Sequence, residues 1–272
     1  MITTGIDSSN NSGSMIKEVI NIFGIDVTAY ILGNLASSKN TIILAHGWGQ
    51  SSSVFFPLMD SLRNHTSLIA IDFPGFGASN NPPADWSVTN YCDLSAKIIQ
   101  HFHLSHCIWV GHSFGCRVGI KLAANYPELV DSLILIAAPG IPYKNILQKM
   151  KISMKIMLFK ALKFFIPEGL GREKLRIFFG SSDYRSAGSM RSILAKVLSE
   201  NLSNDAKKIK CNVVLMYGAN DFDTPPRIGE LYTQLIPTAN LIILKGFDHN
   251  SIIQTGYHQI SLEIHRLLKG VA

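Results

Sequence analysis

The clearest candidate for chemistry in this chain is a serine within the pattern Gly-x-Ser-x-Gly. Ser113 lies between Gly111 and Gly115, after the apolar run Cys107–Val110 and before a stretch of small residues typical of a helix. A serine in a sharp turn from strand to helix has strained backbone geometry, and flanking glycines let the two elements approach without a Cβ clash. The pattern therefore predicts an exposed serine nucleophile.

A base and an acid that could activate this serine follow in the chain. A serine hydroxyl is a poor nucleophile at neutral pH, and it needs a base, usually histidine, that a carboxylate orients. Asp221 follows one predicted strand and His249 follows the next. Asp223 is an alternative acid, but Asp221 is favoured because it lies three residues after a glycine and four before a proline.

Apolar strands alternate with helical segments along most of the chain. Strands are predicted at 18–24 and 25–33, which form a hairpin, and at 41–45, 67–72, 106–110, 130–137, 212–217 and 240–244. Helices are predicted at 53–64, 88–103, 226–235 and 251–268. This order predicts an α/β fold, a mostly parallel sheet covered by helices on both faces. Ligands of such sheets bind at the carboxyl ends of the strands, where the turns of Ser113, Asp221 and His46–Gly49 fall.

The alternation stops between Pro139 and about Lys208. Residues 140–208 are therefore predicted to be a helical cap inserted between two parts of the core, 15–139 and 209–272. Residues 1–14 are rich in Ser, Asn, Thr and Gly, and they are predicted to be a disordered leader, with Met15 as an alternative start.

The positive charge of the chain is concentrated in the predicted cap. The whole chain has 25 Lys and Arg against 19 Asp and Glu, a net charge of +6. Residues 140–200 hold 12 of those cations and 4 of the acids, which is +8, and the remainder is 13 against 15, which is −2. No nucleic-acid recognition motif accompanies this charge, so nucleic acid is not an expected partner.

The segment 145–166 has an apolar helical face. We predict that this helix packs over the active site, with Met150, Met154 and Met157 lining the substrate pocket. One alternative is weak contact with an anionic membrane through the lysines on the rest of the helix. Another is recognition of a substrate carboxylate or phosphate by cap cations, for which the candidates are Arg172, Lys174, Arg176, Arg185 and Arg191.

The four cysteines are widely scattered and form no Cys-x-x-Cys pair. No metal site is therefore expected. Free thiols in a reducing, cytoplasmic setting are the favoured interpretation.

The motifs together resemble the α/β-hydrolase superfamily over nearly the whole chain from about Glu18. Those that match in order are the loop His46–Gly49, the stretch Asp72–Ser79, the Gly-x-Ser-x-Gly turn, the loop Gly218–Pro225 and the histidine loop Lys245–Asn250. The resemblance implies an α/β-hydrolase fold that works without metal or organic cofactor. Cys116 departs from the family pattern, since relatives often have glycine there.

The resemblance also implies a role for each site residue. Ser113 would be the nucleophile, His249 the general base and then acid, and Asp221 the group that orients the histidine. The backbone N–H groups of Trp48 and Phe114 would form the oxyanion hole. Two further histidines near the site, His46 and His112, are expected to be structural or to line the substrate pocket.

The expected activity is that of a carboxylesterase-like serine hydrolase. It would cleave an ester-like bond of a small or acyl-chain substrate through an acyl-enzyme. The alternatives are hydrolysis of a carbon–carbon bond in a vinylogous diketone by the same triad, and a non-catalytic binding module on the same fold. The physiological substrate and the oligomeric state are left open.

Overall fold

The computed structural model describes residues 14–38, 40–142 and 186–270. Eight strands lie within these residues: β1 Ile16–Ile22, β2 Ile25–Leu32, β3 Thr41–Ala45, β4 Ser67–Ile71, β5 Cys107–His112, β6 Val130–Ile136, β7 Asn212–Gly218 and β8 Ala239–Leu244. They form one sheet in the order β1-β2-β4-β3-β5-β6-β7-β8. The pairs β1–β2 and β2–β4 are antiparallel, and every other pair is parallel.

Helices cover both faces of this sheet. Their bounds are α1 Phe56–Leu62, α2 Val88–His101, α3 Phe114–Asn125, α4 Arg191–Ser199, α5 Ser203–Ala206, α6 Pro226–Leu235, α7 Ser251–Gln254 and α8 Tyr257–Leu268. Short 3-10 turns occur at Leu35–Ser37, Ser52–Phe55, Pro127–Leu129 and Gly188–Met190. The α/β fold with a mostly parallel, doubly covered sheet is thus confirmed.

Two apolar cores flank the sheet because successive side chains of a strand point to opposite faces. In β3, Ile42 and Leu44 belong to the core under α1, α7 and α8, whereas Ile43 belongs to the core under α2, α3, α4 and α6. All five residues of β3 and of β4 are buried. Burial on both faces explains why the central strands are continuous apolar runs.

The structure differs from the sequence prediction at the first hairpin and at the final helix. The first hairpin turns at Phe23 and Gly24, whose φ values of 55° and 77° are those of a tight two-residue turn, so β1 ends at Ile22. The predicted final helix consists of two helices, α7 and α8, because the helical conformation is interrupted at Thr255–Gly256. The last strand, β8, is at the sheet edge and is only partly buried.

The domain boundaries of the sequence analysis remain a prediction. The leader and most of the predicted cap lie outside the described residues. The described end of the cap segment is helical, and Ile193, Leu194 and Val197 of α4 are buried against the core above α3.

A buried carboxylate holds together two loops at the carboxyl edge of the sheet. Asp72 follows β4 and is 1% exposed. Its Oδ1 accepts the Ser52 N–H at 2.7 Å, and its Oδ2 accepts the Ala78 N–H at 2.8 Å. At Gly77, which has φ of 57°, an added Cβ would collide with this same carboxylate. Asp72 therefore shapes the loop that follows it, as expected of a structural residue.

We predict that Asp72→Ala lowers the free energy of unfolding by about 2–3 kcal/mol, because it leaves the buried Ser52 N–H and the part-buried Ala78 N–H without this acceptor. Urea unfolding measures the loss. The matched control is Asp60→Ala, which removes a 69% exposed carboxylate paired with Arg63 and should cost at most about 1 kcal/mol. Equal losses in the two variants would contradict this role of Asp72.

Candidate active site

The backbone of Ser113 is strained at the junction of β5 and α3. Its φ is 46° and its ψ is −101°, a region that residues other than glycine rarely adopt. The Ser113 N–H donates to the Ile136 carbonyl at 2.9 Å, which ties the turn to the end of β6. Strain of this kind persists where the surroundings hold it, and it is typical of active sites.

The flanking glycines make this turn possible. A Cβ at Gly111 would lie 2.5 Å from the carbonyl carbon of Gly115, and one at Gly115 would collide with the Ala45 carbonyl oxygen. The Gly115 N–H also donates to the His46 carbonyl at 3.1 Å. The start of α3 is therefore packed directly against the end of β3.

The three residues predicted as a triad are hydrogen-bonded in series. Nε2 of His249 lies 3.1 Å from Oγ of Ser113, and Nδ1 of His249 lies 2.8 Å from Oδ2 of Asp221. The Asp221 side chain is fully buried, and that of His249 is 16% exposed. A proton on Nδ1 is donated to the carboxylate, and an unprotonated Nε2 then faces the Ser113 hydroxyl.

The loop around Asp221 holds its carboxylate ionised. Oδ1 accepts the N–H groups of Asp223 and Thr224 at 2.9 and 2.7 Å, and Oδ2 accepts the Thr224 hydroxyl at 2.7 Å. Burial raises the pKa of Asp221, but the hydrogen bonds from His249 and Thr224 and the charge of His249 outweigh it, so the pKa is lower than usual. Sequence reasoning missed Thr224, although an aspartate followed by residues that close a turn onto its side chain was a readable signal.

Two backbone N–H groups are available for an oxyanion. Phe114 is the first residue of α3, and a helix leaves its first N–H groups without intrahelical partners. Within the described residues, neither the Phe114 N–H nor the Trp48 N–H donates to a protein acceptor. Both residues line the cavity that contains Ser113.

His112 links the histidine loop to the loop after β3. It is 1% exposed, and its Nε2 lies 2.9 Å from the carbonyl oxygen of His249. Its Nδ1 lies 2.9 Å from Oε1 of Gln50, which also accepts the Gly47 N–H at 3.0 Å. Gln50 was not singled out in the sequence, because nothing in a lone glutamine announces a partner 62 residues away.

His46 is not a substrate-binding residue in this structure, which corrects one of the two interpretations left open for it. The ring is fully buried: Nδ1 lies 2.7 Å from the Gly47 carbonyl oxygen, and Nε2 accepts the Phe73 N–H at 3.0 Å. Both ring nitrogens are thus used within the protein. His46 therefore connects the loop after β3 to the loop after β4.

A cavity of about 510 Å³ opens over the serine. The described residues that line it are Gly47, Trp48, Gln50, His112, Ser113, Phe114, Arg117, Pro139, Leu194, Val197, Leu198, Asp223, Thr224, His249 and Asn250. The predicted pocket residues Met150, Met154 and Met157 lie outside the described part of the chain, as does the segment considered for membrane contact. Among the described residues, no helix has the length and apolar character needed to cross a bilayer.

One cluster at this site has side chains of the kind that bind metal ions. The ligand-type atoms of Asp221, Asp223 and His249 lie within 4.8 Å of one another. Two of these residues use those atoms to bond each other, so the triad accounts for their arrangement.

Comparison with known proteins gives the same fold. A family model described as the α/β-hydrolase fold matches residues 40–167. The 2-(acetamidomethylene)succinate hydrolase of Mesorhizobium japonicum is 38% identical over 95 residues, which are 35% of this chain and 34% of that protein. The match thus spans about a third of the length of this relative and of a Mycobacterium bovis protein that is 35% identical over 107 residues.

Solved structures match almost the whole chain. A membrane phospholipase A described as a bacterial virulence factor superposes with a TM-score of 0.75 at 19% identity, over 94% of this chain and 86% of that one. An esterase from Exiguobacterium antarcticum superposes with a TM-score of 0.72 at 20% identity, over 93% of this chain and all of that one (100%). The chain has the α/β-hydrolase fold, as the family model over residues 40–167 and these superpositions show.

The buried histidines predict that stability falls with acidification. Burial lowers the pKa of His46 to about 4 and that of His112 to about 3, from 6.5. The unfolded chain therefore binds more protons at these rings below pH 6.5, so stability that is complete above pH 6.5 is lost as the pH falls towards 4. Between pH 7 and 4.5 we expect each ring to cost on the order of 2 kcal/mol in urea unfolding.

The variant His46→Gln tests this assignment, because it removes one titrating ring. Its unfolding free energy should depend less steeply on pH than that of the wild type between pH 6.5 and 4.5. The same slope in both proteins would show that His46 is not the source.

Proposed function

We propose that this protein is a serine hydrolase that cleaves an ester-like bond of a small or acyl-chain substrate through an acyl-enzyme. The observation that supports this most directly is the hydrogen-bonded series Ser113–His249–Asp221, which lies at the floor of a cavity with the serine in a strained turn. A purely structural serine needs neither the strain nor the buried carboxylate behind its histidine.

The reaction follows from the positions of these groups. Nε2 of His249 removes the proton of the Ser113 hydroxyl while Oγ bonds to the substrate carbonyl carbon, and the carbonyl oxygen becomes an oxyanion. The Trp48 and Phe114 N–H groups donate to that oxygen. The histidine then passes its proton to the departing alcohol, and the bond between the carbonyl carbon and the alcohol oxygen breaks.

Water completes the cycle. It takes the place of the alcohol, His249 removes one of its protons, and the hydroxide attacks the acyl carbon. The second tetrahedral intermediate collapses with release of the acid, and Ser113 regains its proton from His249. Asp221 keeps its charge throughout and stabilises the imidazolium that forms twice per turnover.

The similar proteins support a hydrolase without naming the substrate. One structural neighbour is an esterase and another is a phospholipase A, while the relative from Mesorhizobium is a hydrolase of 2-(acetamidomethylene)succinate. Hydrolysis of a carbon–carbon bond uses the same triad and is therefore one outcome of the test below. All four cysteines are free thiols, which supports a reducing, cytoplasmic setting.

The first test is hydrolysis of nitrophenyl esters from acetyl to palmitoyl by the wild type and by Ser113→Ala. We expect the variant to lose at least about 10³-fold in kcat, because the nucleophile is removed. A fluorophosphonate should label the wild type and not the variant. Labelling without ester turnover would move the search to carbon–carbon and thioester substrates, and folded wild-type protein that shows neither would contradict a hydrolase and favour a binding module.

A second prediction separates the two candidate acids. Asp221→Asn should lower kcat by about 10⁴-fold, because the amide favours the wrong tautomer of His249. Asp223→Asn changes a neighbouring carboxylate that lines the cavity but does not bond the histidine, so its loss should stay below about tenfold. Similar losses in both variants would contradict the assignment of Asp221.

A further inference from the structure

Arg117 is a buried cation on the wall of the active-site cavity. It is the fourth residue of α3, one helical turn after Ser113, and it is 5% exposed. The same cavity of about 510 Å³ is lined by both residues. The proposed hydrolytic mechanism gives Arg117 no role.

The guanidinium has fewer partners than its burial would lead one to expect. Its Nη1 donates to the backbone carbonyl of Glu200 at 3.2 Å, which is the one hydrogen bond it makes within the described residues. The nearby Glu200 carboxylate is engaged elsewhere, at 2.7 Å from Nζ of Lys121. A guanidinium has five N–H donors, and buried charges are normally paired with an opposite charge.

The direction of the pKa shift of Arg117 agrees with a buried cation that has no anionic partner among the described residues. Burial lowers the pKa of Arg117, and the opposing effects of Tyr232 and Glu200 do not offset it. The guanidinium nevertheless stays protonated at neutral pH, because arginine holds its proton far above that range. A carboxylate arriving in the cavity would supply the missing charge and accept two parallel N–H bonds.

The surroundings of Arg117 suit the end of a substrate rather than the reacting bond. Pro139 and the α4 side chains Leu194, Val197 and Leu198 form an apolar wall of the cavity. Asp223 is the acidic residue among the described residues that line the cavity. Its carboxylate lies within 4.8 Å of the ligand-type atoms of Asp221 and His249, so it is close to the predicted triad. Among the described residues that line the cavity, Arg117 thus supplies the arginine or lysine charge, and apolar side chains line the same cavity.

We propose that Arg117 binds a carboxylate of the substrate, so that the preferred esters are half-esters of dicarboxylic acids or esters of similar charge. This assignment rests on the proposed hydrolase function for its substrate class. The competing role is structural: Arg117 would only anchor the end of α4 through the Glu200 carbonyl. The two roles differ in whether the charge of the substrate matters.

The test compares anionic esters with neutral esters of the same length. The 4-nitrophenyl half-esters of succinate, glutarate and adipate carry a carboxylate where the butyrate, valerate and hexanoate esters carry a methyl group. For the wild type we expect a higher kcat/KM with the best half-ester than with its neutral match. In Arg117→Gln, which keeps a donor for the Glu200 carbonyl, the ratio of the two kcat/KM values should fall about 10- to 100-fold.

Arg266→Gln is the control. Arg266 lies on α8, where it bonds Glu263 at 2.6 Å, and it does not line the active-site cavity. Its ratio should change less than about threefold, because this cation does not face the substrate. A ratio that is unchanged in folded Arg117→Gln, or that falls equally in Arg266→Gln, would overturn the proposal.

Binding of free glutarate separates this proposal from the hydrolase itself. Calorimetry on Ser113→Ala should detect glutarate, and adding Arg117→Gln should weaken the binding at least about tenfold. If no ester is turned over and fluorophosphonate does not label Ser113, the hydrolase proposal fails while the glutarate result still decides the anion site. If Arg117→Gln does not fold, the wild type alone decides. A higher kcat/KM for every neutral ester than for its half-ester, together with no binding of glutarate, would overturn the assignment.

Discussion

The close contact between the start of α3 and the end of β3 is the constraint on which the site depends. Gly115 lies so near the Ala45 carbonyl that no side chain fits between them, and its N–H donates a hydrogen bond to the His46 carbonyl. This contact leaves Ser113 no ordinary backbone conformation, so the serine takes a positive φ and projects into the cavity. It also brings the loop after β3 to the first N–H groups of the helix.

The remaining site groups are held to this turn by buried polar contacts. His112, next to Ser113, contacts the His249 carbonyl through Nε2 and the Gln50 side chain through Nδ1. Thr224 holds Asp221 through both its N–H and its hydroxyl. Buried polar groups with full sets of partners rigidify a site, and here they connect loops that follow three different strands. The geometry of the candidate site is therefore held by loop-to-loop hydrogen bonds rather than by any single element.

The sequence predicted the strands and the fold class well because its central strands are buried on both faces. Short, continuous apolar runs such as those of β3 and β4 are typical of strands that helices cover on both sides. The prediction was wrong for the final helix, because the helical conformation is interrupted at Thr255–Gly256 and two helices form instead of one. It also left His46 with two roles, since a histidine beside a glycine-rich loop reads the same whether it faces the cavity or the core.

The sequence by itself determined the sheet, the glycine-flanked serine, and the order in which the candidate acid and base follow. Those features depend on residue type and short spacing, because backbone sterics and side-chain periodicity act between residues that are close in the chain. The tertiary structure alone decided which carboxylate bonds His249, that Gln50 supports the site, and that Arg117 lies on the cavity wall with its charge unpaired by any described carboxylate. These arrangements bring together residues far apart in the chain, and no short spacing in the sequence gives a signal for them.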